Sequence, residues 1–177
     1  KKINMDWFDS DYYHILYKHR DYNEARNFID NIIKYLNIKK GSKILDLACG
    51  IGRHSIYLEK IGFKVVGTDK SLNNINKAKA SQNQSLSFLQ MEMIEDTNNR
   101  YDGIFNLFTS FGYVNHDYNL KTIKNIERQL KDDGIIVVDF MNTLFVKNNL
   151  VIEETKEINN LIFKIKRRSD GKHIYKE

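Results

Sequence analysis

Short, strongly apolar runs separated by segments of helical periodicity predict an α/β protein with a mostly parallel sheet covered on both faces. Three observations carry that reading. Runs at 43–47, 64–69, 85–91, 101–109 and 135–140 have the length and apolar content of buried strands. The segments between them repeat apolar residues every three or four positions. The first run breaks into Gly50-Ile51-Gly52, and strand, glycine turn and helix in that order bring bare backbone against a nucleotide-like ligand.

The elements follow in order. Residues 5–20, MDWFDSDYYHILYKHR, are dense in rings (Trp7, Phe8, Tyr12, Tyr13, Tyr17) and read as an aromatic segment packed on the domain or a flap over a ligand. From Tyr22 to Asn37, Phe28, Ile29, Ile32, Ile33 and Leu36 define an amphipathic helix. Lys39-Lys40-Gly41-Ser42 turns the chain into the first strand, and Ile56, Leu58 and Ile61 mark the helix after the glycine turn. The second strand, Lys64 to Asp69, ends in an acid. Ser71 then caps a helix expected to run to about Gln82, with Leu72, Ile75 and Ala78 on one face. The third strand is Ser85 to Met91 and the fourth Tyr101 to Thr109. A helix from Asp117 to Lys131 carries Leu120, Ile123, Ile126 and Leu130 at spacings of three and four. Lys131-Asp132-Asp133-Gly134 is expected to turn into the fifth strand, Ile135 to Phe140. The tail alternates apolar with charged residues over 151–157 and 161–168, the pattern of half-exposed antiparallel strands. Asp170-Gly171 is a hairpin signal, and Lys172 to Glu177 begins a returning strand.

With 177 residues the chain is about one domain's worth and can bury a sizeable core. Residues 1–142 are expected to form the ligand-binding core, with 1–21 as its aromatic flap. Residues 143–177 form an incomplete antiparallel lid or substrate segment. Because the chain lacks an initial methionine and its last strand breaks off, the native protein is expected to be longer. No stretch has the ~20 apolar residues of a membrane span, and the start lacks a secretory signal's apolar region. One cysteine, Cys49, excludes an internal disulfide, which fits a reducing compartment, so a cytoplasmic location is expected. The net charge of +5 rests mainly on scattered lysines, which serve solubility more often than nucleic-acid binding.

The glycine turn admits two ligand classes. A dinucleotide site wants a third glycine for close helix packing, and Ser55 stands there instead. Asp46 lies just before the loop, where a pyrophosphate would be repelled and an ammonium group welcomed. Asp69, 17 residues past Gly52, is placed to accept both ribose hydroxyls. Two such acids fit a nucleoside joined to an amino acid, S-adenosylmethionine.

Five landmarks in order, DLACGIGRHS, VVGTDKS, FLQMEM, NLFTSFGY and LKDDGIIVVDF, resemble the class I S-adenosylmethionine-dependent methyltransferases, in their small-molecule-type branch. The resemblance covers about residues 7 to 142 and implies a Rossmann-like doubly wound sheet of strand order 3-2-1-4-5. It further implies that Asp46, Cys49, Gly50 and Gly52 line the methionine half of the cofactor. Asp69 would bind the ribose, with Lys70 flanking the adenine. Glu92, where the family usually has aspartate, would lie near the adenine amino group with Met93 alongside. Asn106, Leu107 and Phe108 would face the methyl donor, and Tyr13 and Arg20 match N-terminal contacts, Arg20 toward the methionine carboxylate.

Methyl transfer needs alignment and a dry pocket more than covalent help, and no catalytic residue is identified. His54 reads as a first-turn helix residue and Cys49 as a small packing residue. Phe111, Tyr113 and His116, beyond strand four, are expected on the acceptor side. Family members that methylate base amines or glutamines carry Asn/Asp-Pro-Pro-Tyr/Phe after strand four, and this chain has no proline. Those methylating pyrimidine C5 use a thiol beyond the cofactor loop, whereas Cys49 lies inside it. By elimination the acceptor is a small molecule, RNA being less favoured, and no metal is called for. The reaction would leave S-adenosylhomocysteine. The alternatives are a cofactor-binding but catalytically silent subunit and an NAD(P)-dependent oxidoreductase. Oligomeric state stays open, a homodimer included.

Overall fold

The structure, a computed structural model, describes residues 7–177. The first six residues of the expected flap lie outside the described residues. The chain divides into two compact units, His19–Phe140 and a second made of the residues up to Lys18 with Met141–Glu177.

The larger unit opens with α2 (Tyr22–Leu36), which follows the smaller unit's α1 (Asp11–Leu16). Asp21 caps α2 by accepting from the Glu24 amide at 2.9 Å, and Asn37 ends it in the left-handed region at φ 49°. Then come β1 (Lys43–Leu47), α3 (Arg53–Lys60), β2 (Lys64–Asp69), α4 (Leu72–Ala78), β3 (Leu86–Gln90), β4 (Tyr101–Asn106), α5 (His116–Gln129) and β5 (Leu130–Val138). The strands form one sheet in the order β3-β2-β1-β4-β5 with every pair parallel, as the resemblance implies. Ile44 is the registration point, opposite Val65 on one side and Gly103 on the other.

Alternation along β1 divides the core. Ile44 joins Val65, Phe88 and Phe105 beneath Ile29 of α2, Leu58 of α3 and Ile75 of α4. Leu45 and Leu47 join Tyr101 and Ile104 beneath Ile126 of α5 on the opposite face. Burying a side chain of this size contributes about 1.5–3 kcal/mol, so the first, larger cluster dominates.

Four local expectations are corrected. Ser71 does cap α4, accepting from the Asn74 amide at 2.9 Å, but the helix ends at Ala78 and tightens into a 3-10 turn over Lys79–Ser81. β4 stops at Asn106, not Thr109, because Phe108 and Thr109 adopt φ of 58° and 56°, which no strand accommodates. Residues 131–134 form no separate turn. They lie within β5, where the register advances two residues on β4 and five on β5 between the Tyr101–Leu130 and Gly103–Ile135 pairs. The α5 stripe is also different: Leu120 and Ile123 are 48% and 44% exposed, while Thr122, Asn125 and Gln129 are buried. Asn125 and Gln129 are drawn inward by the loop after β3, whose backbone they bond. β5 lies at the sheet edge, and its Ile136 and Val138 remain exposed.

In the smaller unit, Ser10 caps α1, accepting from the Tyr13 amide at 3.2 Å. Asn142 caps α6 (Thr143–Asn148), a helix the sequence reading does not foresee. The tail forms an antiparallel sheet, β6 (Glu153–Ile158), β7 (Leu161–Ser169) and β8 (Ile174–Lys176), in that order. Asn159 and Asn160, at φ 52° and 61°, supply the two-residue turn between β6 and β7. At the next turn Asp170 accepts from the amides of Lys172 and His173 at 2.9 and 2.7 Å, while Gly171 takes φ 88°. The aromatic segment is joined to this sheet: Lys176 Nζ lies 2.6 Å from the Tyr17 hydroxyl, and Lys18 Nζ donates to Asn159 at 3.2 Å. No helix among the described residues is long and apolar enough to cross a membrane.

Candidate functional site

The sheet order reverses between β1 and β4, and open parallel sheets receive ligands at the carboxyl ends of the strands flanking such a reversal. Two loops leave the sheet there, residues 48–52 after β1 and 107–115 before α5.

The first loop is built by three backbone devices. The Cys49 amide donates to the Thr68 carbonyl at 2.8 Å, which carries the β1–β2 ladder one step past the strand. Ala48, Gly50 and Gly52 then take φ of 63°, 58° and 80°, and Gly52 serves as the N-terminal cap of α3. The two glycines differ in kind. A Cβ on Gly52 would stand 2.7 Å from the Phe88 ring, so its hydrogen side chain is a packing requirement. A Cβ on Gly50 would meet nothing within 4 Å, so this position faces open space.

The acids at the ends of β1 and β2 have different settings. Asp46 is buried and accepts the hydroxyl of Ser55, also buried, at 2.5 Å. Burial pushes its carboxyl up to about 6; Ser55 opposes the shift and nearby Asp69 adds to it. Asp69 instead accepts backbone amides, from Gly50 at 2.8 Å and Ser71 at 2.9 Å, and so ties the glycine loop to the start of α4. Lys70 follows it, its carbonyl accepting from Gln90 at 3.2 Å. Cys49 is a buried thiol whose pKa burial raises well above its usual value, with the charges of Asp46 and Asp69 adding to the effect. It is a packed group, not a nucleophile.

At the end of β4, the Asn106 amide donates to the Leu47 carbonyl at 2.8 Å and reaches the Met93 sulfur at 3.5 Å, joining β4 to β1 and to the loop after β3. Its Oδ1 is buried without a hydrogen-bond partner. A native structure rarely leaves such an acceptor unpaired. Leu107 is buried beside it, and Phe108 and Thr109 hold left-handed conformations that side chains of their size seldom adopt.

Phe108 is held from above by cations. The guanidinium carbon of Arg20 lies 4.9 Å from the ring centroid and that of Arg53 lies 5.9 Å away. Glu24 joins the two, at 2.7 Å from Arg20 and 3.1 Å from Arg53. Burial raises the Glu24 carboxyl's pKa, but hydrogen bonds from both arginines outweigh it and hold the group below its ordinary range. Arg53 also donates to the Asp21 carbonyl at 2.9 Å. Arg20 Nε is buried and makes no hydrogen bond. His54 packs 6.0 Å from the Phe28 ring, and burial with Arg53 lowers its pKa to about 4, so it is neutral at neutral pH and only weakly basic.

The loop after β3 carries Glu92 and Met93. Glu92 accepts from the Tyr118 hydroxyl at 2.7 Å, while its amide donates to Glu95 at 2.6 Å. Phe111 is half-buried, Tyr113 is 47% exposed, and His116 is exposed as the first residue of α5.

The structure therefore brings Arg20, Asp46, Cys49, Gly50, Gly52, Asp69, Lys70, Glu92, Met93, Asn106, Leu107 and Phe108 to one unit, at or just beyond strand ends on the carboxyl side or in the segments bonded to them. Tyr13 belongs to the other unit, in a ring cluster with Trp7, Phe8 and Tyr17 at centroid distances of 6.0, 5.4 and 4.9 Å. Sequence reasoning missed Glu24, Arg53, Ser55 and Tyr118. The i,i+4 spacing of Arg20 and Glu24 was one signal available, and Ser55 lies nine residues from Asp46 in the same motif; Arg53 and Tyr118 act through contacts far apart in sequence.

A family model described as "Methyltransferase domain" matches residues 38–177. The chain is 33% identical over 132 residues to the putative methyltransferase YqeM of Bacillus subtilis (strain 168), covering 72% of this chain and 51% of that protein. It is 30% identical over 125 residues to the glycine/sarcosine N-methyltransferase of Halorhodospira halochloris, covering 67% and 47%. Among solved structures it resembles an S-adenosylmethionine-dependent methyltransferase from Clostridium acetobutylicum ATCC 824, with a TM-score of 0.70 at 20% identity, covering 94% of this chain and 76% of that one. The chain spans about half the length of the curated relatives it matches.

Proposed function

The chain belongs to the methyltransferase domain family, in its S-adenosylmethionine-dependent class I, and from that premise we propose that it methylates a small-molecule acceptor, leaving S-adenosylhomocysteine. The observation that carries this reading is the pair of carboxylates beside one open glycine. Asp46 is buried under α3, Asp69 is bonded to the Gly50 amide, and Gly50 faces open space. A pyrophosphate fits poorly between two acids. A ligand with an ammonium group and a ribose fits well, and the unpaired Oδ1 of Asn106 offers a further acceptor.

S-adenosylmethionine supplies a methyl group on a sulfonium that leaves readily. The chain's own work is to bind, orient and exclude water. Asp46, buried beneath the loop, attracts the ammonium through its charge. Asp69, bonded to the Gly50 and Ser71 amides, accepts the ribose hydroxyls. Arg20, stacked on Phe108, meets the amino-acid carboxylate. Lys70, Glu92 and Met93 surround the base, and Leu107 and Phe108 close the apolar side. Cys49 and Gly52 shape the loop, and Phe111, Tyr113 and His116 line the acceptor side. We assign cofactor binding to the larger unit, His19–Phe140, and a lid or substrate role to the antiparallel tail over 143–177. The free thiol fits a cytoplasmic enzyme.

Because one relative's name specifies glycine and sarcosine, small amines are the first acceptors to try. Incubation with methyl-labelled cofactor and a panel of amino acids, amines and amino sugars should move label into the small-molecule fraction. Label found only in added RNA would contradict the acceptor class. Cofactor binding without any transfer by the full-length protein would favour a silent subunit.

A further inference from the structure

Four polar residues on one face of α5 occupy positions where an apolar seam would ordinarily sit. Tyr118, Thr122, Asn125 and Gln129 follow the spacing i, i+4, i+7, i+11, and the last three are buried. Burying such groups costs free energy unless they are bonded. Their partners are in the irregular segment after β3. Asn125 donates to the carbonyls of Met93 and Glu95 at 2.9 and 2.8 Å. Gln129 accepts from the Thr97 amide at 2.9 Å and from its hydroxyl at 2.5 Å. Thr122 donates within the helix to the Tyr118 carbonyl at 2.9 Å.

Asn125 and Gln129 satisfy backbone groups that no strand or helix would satisfy, which is reason enough for them to be polar. Tyr118 does something else. Its hydroxyl bonds a side chain, Glu92 Oε2, at 2.7 Å. Burial and then the Glu92 carboxylate raise the Tyr118 pKa, so its hydroxyl remains a donor. The Glu92 backbone is fixed as well, its amide on Glu95 Oε2 and its carbonyl on the Glu95 amide at 3.0 Å. Among the described residues, Glu92 Oε1 has no hydrogen-bond partner. A carboxylate anchored at one oxygen by a donor presents the other as an acceptor only.

We propose that Tyr118 is a positioning residue that sets base specificity: by holding Oε2 of Glu92 it directs Oε1 at an exocyclic amino group of the bound nucleoside and so selects a 6-amino purine over a 6-keto purine. The inference rests on the cofactor reading above. A keto oxygen opposite Oε1 leaves two acceptors facing each other without a proton. Sites built around a specific hydrogen bond reject analogues that lack it because the buried partner is left unpaired.

Calorimetric titration with S-adenosylhomocysteine and its deaminated analogue, S-inosylhomocysteine, tests this. The wild-type protein should prefer the amino compound by roughly 10- to 100-fold, the range for a hydrogen bond to a charged group. Tyr118→Phe should cut that preference to within about threefold, mainly by weakening the amino compound. Glu92→Gln keeps the Tyr118 bond on its amide oxygen and turns the amide nitrogen to the base, so the preference should reverse. In the double variant neither compound should be preferred. Equal weakening of both ligands in Tyr118→Phe, or a Glu92→Gln protein that still prefers the amino compound, would overturn the proposal while leaving the cofactor reading intact. Failure of the wild-type protein to bind either compound would overturn the cofactor reading and this inference with it.

Discussion

Ser55 donates its hydroxyl to Oδ2 of Asp46 across 2.5 Å, with both side chains sealed from solvent. Burial raises the Asp46 carboxyl to about 6, Ser55 restrains that rise, and Asp69 adds to it. The folded protein therefore binds this proton more tightly than the unfolded chain does, and stability falls as pH rises from about 4 to about 6. The ionised group costs the ligand-free fold about 3 kcal/mol at neutral pH. Asp46→Asn should raise Tm at pH 7 and converge with wild type below pH 4, as thermal melts across pH will show. Ser55→Ala should lower Tm at pH 7 by removing a bond worth about 1.5–3 kcal/mol to a charged group, with less effect at pH 4.

The same carboxylate makes cofactor binding pH-dependent. Because the Asp46 charge attracts the ammonium, S-adenosylhomocysteine affinity should fall as pH drops through about 6 and that charge is neutralised. In Asp46→Asn the affinity should be lower and flat over that range. A wild-type affinity that is constant from pH 5 to 7.5, by calorimetry, counts against Asp46.

Glycines 50 and 52 should respond differently to an added side chain. Both need left-handed backbone, an added strain of about 1–2 kcal/mol for other residues. Gly52→Ala also drives a methyl group to 2.7 Å from Phe88. Denaturant unfolding should show the larger loss for Gly52→Ala. Titration should show the larger affinity loss per unit of stability lost for Gly50→Val, because its side chain enters open space on the ligand side.

Arg20 can be separated from the rest of the site by choice of ligand. Arg20→Ala should weaken S-adenosylhomocysteine about tenfold or more, as expected for a lost charged hydrogen bond. It should leave 5′-methylthioadenosine, which lacks the amino-acid end, within about twofold. Equal losses would place Arg20 in a structural role on Phe108.

Much of this architecture is legible in the sequence. β2 is legible to the residue because an apolar run between Gly62 and a terminal Asp69 has few alternatives. The Ser71 cap was legible because hydroxyl capping is local chemistry. What was not legible depends on partners distant in sequence. Leu120 and Ile123 have helical periodicity, yet the buried side of α5 is set by backbone groups at Met93, Glu95 and Thr97. Phe108 reads as a strand residue, and its left-handed conformation accompanies the Arg20 and Arg53 contacts above its ring. Likewise Asp46 and Asp69 are legible as a pair of acids. That one is buried on Ser55 and the other bonded to the Gly50 and Ser71 amides could come only from the packed structure.

Asp69 carries the most direct test, because it joins the glycine loop to the expected ribose position. Calorimetric titration of the wild-type protein with S-adenosylhomocysteine should give one-to-one binding, and NAD should give none. Asp69→Ala should weaken that binding by roughly 10- to 100-fold through unpaired ribose hydroxyls and a loosened Gly50 amide. Unchanged affinity in Asp69→Ala, or binding of NAD in place of S-adenosylhomocysteine, would contradict the assignment of this loop as an S-adenosylmethionine site.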